Sequence, residues 1–176
     1  MADAGASEMI ILVASLLVAG IASVVLIDAW DGVATANGDL VNARAANMET
    51  EISFGGDPGN VPYDDNSDKI TLFLVNTGQR NLDRTTLGLF VNGDAYGAGT
   101  QLDTSGVALA AGYVWGPGDM IMIELDDQDG NNGAGPFHGL ADDSALQISM
   151  VVESVTIQGH SGTSSQTLEV RLHDVT

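Results

Sequence analysis

The sequence predicts a long hydrophobic N-terminal α-helix followed by an all-β, immunoglobulin-like sandwich, and three observations carry that expectation. Residues Met9 to Ile27 form a run of nineteen without one charged side chain. Seven short apolar or alternating segments follow, separated by turns rich in Gly, Asn and Asp. No second helical pattern interrupts them, which favours a sandwich over a mixed sheet.

At about 1.5 Å per residue the run Met9–Ile27 makes a helix of roughly 28 Å, close to the hydrocarbon thickness of a bilayer. It is apolar on every face, unlike an amphipathic surface helix. Its environment is therefore lipid or a bundle made with other copies of itself. A cleaved signal peptide needs a basic lead and a small-residue cleavage site. The lead MADAGASE carries Asp3 and Glu8 with no Lys or Arg, and the run ends in Leu26-Ile27-Asp28-Ala29-Trp30-Asp31. Those residues argue against cleavage and leave a membrane anchor as the simpler alternative to assembly.

Beyond Ile27 a less apolar helical pattern continues. Leu26, Trp30, Val33, Leu40, Val41 and Met48 keep an approximate helical spacing, and Asp28, Asp31, Asp39 and Arg44 suit a wet face. Gly32 and Gly38 each weaken a helix interior by about 1 kcal/mol relative to alanine, so a bend or break is expected there. One helix from about Ser7 to Met48 results, its second half expected to rest on the globular domain. The chain thus divides into an assembly or membrane helix, residues 1–48, and a β-sandwich, residues 49–176.

The expected strands are Thr50–Phe54, Ile70–Asn76, Thr86–Asn92, Ala95–Leu102, Met120–Asp126, Leu146–Gln158 and Gln166–His173. Asn92-Gly93 between LGLFV and DAY marks a hairpin, because both positions tolerate positive φ. In the last strand Leu168, Val170 and Leu172 face inward and Glu169 and Arg171 outward. Ile70 to Val75 is continuously apolar, as suits a central or doubly covered strand.

Composition excludes several functions. The chain of 176 residues carries 24 acidic and 5 basic side chains, a formal net charge of −19. A nucleic-acid surface needs clustered Lys and Arg, and none exists here. Strong acidity with 44% hydrophobic residues suits a folded, halophilic protein, since salt screens self-repulsion over a few ångströms. There is no cysteine, which removes disulfides, thiolate catalysis and cysteine-ligated metals together. His138, His160 and His173 lack metal-site spacing. No Gly-x-Ser-x-Gly, phosphate loop or dinucleotide fingerprint is present. The chain reads as a non-enzyme.

One polar segment has ligand spacing. Asp127, Asp129 and Asn131 alternate as in a calcium loop, although the twelfth position from Asp127 is His138 and not glutamate. A calcium ion there is the sole cofactor expectation. Its competitor is a solvated acidic loop, as at Asp64, Asp65 and Asp68.

The helix carries the stronger signal. Ser15, Ala19 and Ser23 lie four apart and stack on one face, the small-xxx-small pattern that lets helix backbones approach closely. Gly20, with Ala14 and Ala22, is read as widening this strip, so Ser15, Ala19, Gly20 and Ser23 form the expected helix-packing interface.

The residues ADAGASEMIILVASLLVAGIASVVLID resemble the mature N-terminus of archaeal type IV pilin-like proteins of the archaellum, the rotating archaeal swimming filament. The segment DKITLFLVNTGQRNLDRTTLGLFVNGDAY is similar to theirs too, a strand ending in "NTG" leading to one ending in a "V-x-G" turn. The resemblance implies the type IV pilin-like archaellin architecture, with the helix in a filament core or membrane and the β domain at the cell surface.

Two jobs fit the resemblance. A FlaG-like stator protein would work with its FlaF relative to couple the motor to the surface-layer protein; an archaellin would be the major filament subunit. The absence of a basic leader, the modest length and the lack of an Asn-x-Ser/Thr sequon lean toward FlaG. Either way the implied partners are other copies and other archaellum subunits, through the helix. Outside this family the alternative is a membrane-anchored β domain of the cell envelope.

Overall fold

The computed structural model describes residues 3–126 and 140–175. It holds one helix, α1 (Asp3–Glu49), and nine strands: β1 (Ile52–Phe54), β2 (Val61–Asp64), β3 (Lys69–Asn76), β4 (Leu82–Val91), β5 (Asp94–Gly97), β6 (Thr100–Leu102), β7 (Met120–Asp126), β8 (Ala145–Ser154) and β9 (Thr163–Asp174). Two compact units result, Met1–Asn42 and Ala43–Thr176.

α1 runs without a break for 47 residues, about 70 Å at the ordinary helical rise. The expected break at Gly32 or Gly38 does not occur. A helix tolerates isolated glycines when the backbone bonds on either side hold, at the propensity cost alone. Val33, Leu40 and Val41 are exposed; the residues of α1 that belong to the β unit are those from Ala43 onward.

In the β unit the strands follow the order β5-β4-β8-β9-β2-β3-β7-β6 as one curled sheet, and β1 pairs with β3 beside this path. β9 joins its two halves. Residues 163–171 pair antiparallel with β8, and Leu172, His173 and Asp174 then pair in parallel with β2. A strand that leaves one sheet for the other is how a sandwich turns its corner. The two halves share one core: Leu72, Leu74, Ile121 and Ile123 from one meet Leu89, Ile148, Met150 and Val152 from the other, around the fully buried Trp115. The Trp115 indole N–H donates to the Asp119 carbonyl at 3.0 Å, so its one polar atom is satisfied inside the core.

Where strands differ from expectation the cause is local. Ala95–Leu102 is two strands, because Gly97 (φ 66°) and Gly99 (φ 59°) take left-handed backbone and turn the chain from β4's side to β7's. A Cβ at Gly99 would stand 2.7 Å from Ile123 Cγ2 and 2.8 Å from Leu125 Cδ2, so glycine is required there twice over. β2 was not among the expected strands; it lies between β3 and β9. β8 ends at Ser154, and Gln158 (φ 52°) and Gly159 (φ 85°) form a turn instead of extending it. β4 begins early, at Leu82, and its register shifts between Asp83 and Gly88. Asn92 (φ 51°) and Gly93 (φ 94°) form the predicted hairpin turn. β3 lies centrally between β2 and β7, with alternate residues from Ile70 to Asn76 buried.

Candidate assembly helix and its neck

On α1 all thirteen large apolar side chains between Met9 and Ile27 are exposed, Leu17 at 61%. Each would contribute about 1.5–3 kcal/mol on burial, so bulk water is not their resting environment. Ser15 and Ser23 turn their hydroxyls onto their own helix, donating to the carbonyls of Ile11 and Ala19, the latter at 2.8 Å. Both donors are thereby satisfied without a partner, and the strip is small and effectively apolar. At about 100° per residue Ser15, Ala19 and Ser23 climb one narrow stripe, whereas Gly20 stands about 100° round the axis from Ala19. The four expected packing residues therefore divide between two faces.

The neck, where α1 passes into β1, is a built joint that the sequence reading missed. Ala46 and Thr50 are buried, and the Thr50 hydroxyl closes the last turn on the Ala46 carbonyl at 2.7 Å. Two glycines form the walls. A Cβ on Gly78 would lie 2.5 Å from the Glu49 carbonyl oxygen, and one on Gly162 would lie 2.1 Å from that of Ala46. Both obstacles are backbone and cannot rotate away.

The hydrogen bonds explain why the segment Val75-Asn76-Thr77-Gly78-Gln79-Arg80 is here. The amides of Gln79 and Arg80 donate to the Glu49 carbonyl at 2.7 and 3.2 Å, and those of Thr77 and Gly78 to the Glu51 carbonyl at 3.1 Å. Orphan acceptors at the helix end are thus paired. The Arg80 guanidinium bonds the Glu49 carboxylate at 2.9 Å and the His160 carbonyl at 3.0 Å. Buried Asn76 spends its side-chain amide on the carbonyls of Arg80 and Trp115, at 2.8 and 3.0 Å, and accepts from the Gly78 amide at 3.1 Å. β9 completes the grip: Asn47 Oδ1 accepts from the Thr163 amide at 3.0 Å, and Ser164 and Gln166 accept from the amides of Ile52 and Phe54. The "NTG" of the sequence is a socket for the helix end. Its one available signal was the glycine following Asn-Thr at a strand end.

Acidic loops elsewhere serve turns. The Asp64 carboxylate accepts from the Ser67 hydroxyl at 2.7 Å and from the amides of Asn66 and Ser67. Those bonds, the Ser67 hydroxyl first, hold its pKa below the ordinary carboxylate value. Asp68 is buried and accepts from the Tyr63 hydroxyl at 3.1 Å. Burial first, and this carboxylate second, push the Tyr63 phenol up to about 12. Among the described residues no three His, Asp or Glu converge to hold a metal; the calcium expectation at Asp127, Asp129 and Asn131 lies outside the described residues.

The model of the archaeal-type flagellin family matches residues 2–166, covering α1, the neck and the strands into β9. No curated protein matches the chain. By that near-complete match the chain belongs to the archaeal-type flagellin family, structural and non-enzymatic proteins of the archaellum.

Proposed function

We propose that this chain is an archaellin, the filament subunit, and that it polymerises through α1. The observation that carries this reading is the uncovered helix, apolar on all faces through Met9–Ile27, in a chain matched from helix to domain by a flagellin model. That match favours the filament subunit over the FlaG-like stator, and surface-layer contact, which belongs to the stator reading, drops out with it. Residues 1–48 serve as the assembly segment and residues 49–176 as the part presented outside the cell. Lipid holds α1 before assembly and neighbouring helices hold it afterwards.

Electron microscopy of the purified full chain after detergent removal tests this. Filaments are the expected result; monomers or short oligomers alone would refute it. The fragment 43–176 keeps the neck residues Ala46 and Thr50 and is expected to be folded and monomeric by light scattering.

A further inference from the structure

The β4–β5 hairpin places a chemically labile pair on the surface. Asn-Gly occurs at Asn37-Gly38, Asn92-Gly93 and Asn132-Gly133, and the last of these lies outside the described residues. In such a pair the glycine nitrogen can attack the asparagine side-chain amide, because no Cβ on the glycine shields it. Whether it does so depends on the backbone. In α1 the Gly38 amide belongs to the helical i→i−4 ladder, which occupies the attacking nitrogen. Asn92 and Gly93 are exposed and are restrained in another way.

Asn92 (φ 51°) and Gly93 (φ 94°) join Val91 to Asp94, which pair across the hairpin. Two central residues with positive φ make a type I′ turn, in which ψ of the first is about +30°. At that ψ the Asn92 Cβ and the Gly93 nitrogen stand nearly opposite each other across the Cα–C bond. The side chain therefore cannot reach the nitrogen while the turn is closed. Two bonds to one residue of β8 hold it closed. The Asn92 N–H donates to the Gln147 carbonyl at 2.8 Å, and Asn92 Oδ1 accepts from the Gln147 N–H at 2.9 Å. This restraint is only as durable as β5. That strand has four residues, stands at the end of the strand order beside β4, and meets a register shift at Leu89/Phe90. Tyr96, half-buried against the core, is the side chain that anchors it.

We propose that Asn92-Gly93 is a self-modification site gated by this hairpin, with water as its co-reactant. When β5 lifts, the Cα–C bond of Asn92 can rotate and bring the two groups together. The Gly93 nitrogen loses its proton to the solvent and bonds to Asn92 Cγ. The Cγ–Nδ2 bond breaks, and Nδ2 takes up a proton and leaves as ammonia. Water then opens the five-membered imide. Cleavage at Cγ yields aspartate, whose side-chain oxygen still accepts from the Gln147 amide. Cleavage at the main-chain carbonyl yields isoaspartate, with the chain routed through Cβ and Cγ. The extra main-chain atom in a two-residue turn does not fit the pairing of Val91 with Asp94, so β5 does not re-dock. A transient opening becomes a permanent one. The site lies within the β unit and stands whether or not α1 polymerises.

Full-length protein in detergent, held at mildly alkaline pH and followed by peptide mass spectrometry, tests the gate against a free peptide spanning Leu89 to Tyr96. Asn92 in the folded chain is expected to convert about tenfold more slowly than in the peptide, or slower still, in proportion to the time the hairpin spends open. Tyr96→Ala removes the anchor of β5 and is expected to raise the rate severalfold. Urea below the unfolding midpoint should do the same to the unsubstituted chain. Equal rates in chain and peptide would overturn the gate, as would a rate indifferent to both Tyr96→Ala and urea. In chains carrying isoaspartate the amides of β5 should lose their protection from hydrogen exchange. Undiminished protection there would show that the product does not hold the hairpin open.

Discussion

Leu17 and Leu72 are the same side chain in opposite circumstances. Leu17 stands 61% exposed on α1, and Leu72 in β3 is fully buried. α1 satisfies its backbone internally and leaves its side chains unmatched. The β unit satisfies its backbone only through long-range pairing, and by doing so matches its apolar faces to one another. One region therefore buries its apolar side chains within a single molecule and the other leaves them exposed. The neck is where the two conditions meet, and its geometry is that of the β unit: buried Ala46, paired carbonyls and two glycine walls.

Leucine-to-alanine exchanges separate the two regions most sharply. Leu72→Ala should destabilise the β unit by about 4 kcal/mol, the loss of a fully buried leucine plus its residual cavity. Leu17→Ala should leave the urea midpoint of the β unit unchanged. Circular dichroism of both variants in detergent checks this, and a similar loss in each would erase the distinction between the regions.

Glycines give the next effect, of opposite sign in the two regions. Gly162→Ala places its Cβ against the Ala46 carbonyl and is expected to cost about 3 kcal/mol, the upper range of overpacking. At Gly38 nothing lies within 4 Å of a Cβ, so Gly38→Ala should stabilise α1 by about 1 kcal/mol. Thermal melts followed at 222 nm, with the helix and sheet transitions resolved, read both.

A smaller effect follows from pH and belongs to the β unit alone. Tyr63 holds its neutral phenol up to about 12 in the folded state against an ordinary 10. Its contribution to stability is therefore complete below pH 10 and is lost as pH rises from about 10 toward 12. Tyr63→Phe should flatten that part of the denaturation profile without altering helix content. An unchanged slope between pH 10 and 12 would mean that Tyr63 does not supply it.

What could be read in advance follows the range of the interactions. α1 and the Asn92-Gly93 hairpin are local and were legible from a few neighbouring residues. β3 and β7 were legible because their apolar content exceeds that of their surroundings. β2 was hidden by Pro62, a residue that local reasoning assigns to loops and that here sits in a strand held on both sides by β3 and β9. The corner at Gly97 and Gly99 was read as continuous strand, because the need to change sheets is a property of the whole fold. The neck was the least legible element. Gly78 and Gly162 come from distant parts of the chain and acquire meaning only when both meet the end of α1.

The smallest expected effect on folding is also the most direct test of what α1 is for. Ala19 lies on the stripe with Ser15 and Ser23 and is exposed, so Ala19→Leu is expected to leave the β unit's melt unchanged. Leucine is also a good helix former and equally soluble in lipid. A simple anchor would therefore accept the substitution without loss. A close-packed helix interface would not, because the added side chain holds the backbones apart at the point where a small residue let them touch. Ala19→Leu is expected to reduce filament yield sharply, as counted by electron microscopy, while Ala19→Gly and Ala19→Ser preserve it. Normal filaments from the leucine variant would show that this stripe faces lipid or an open groove, and that assembly uses another face of the same helix.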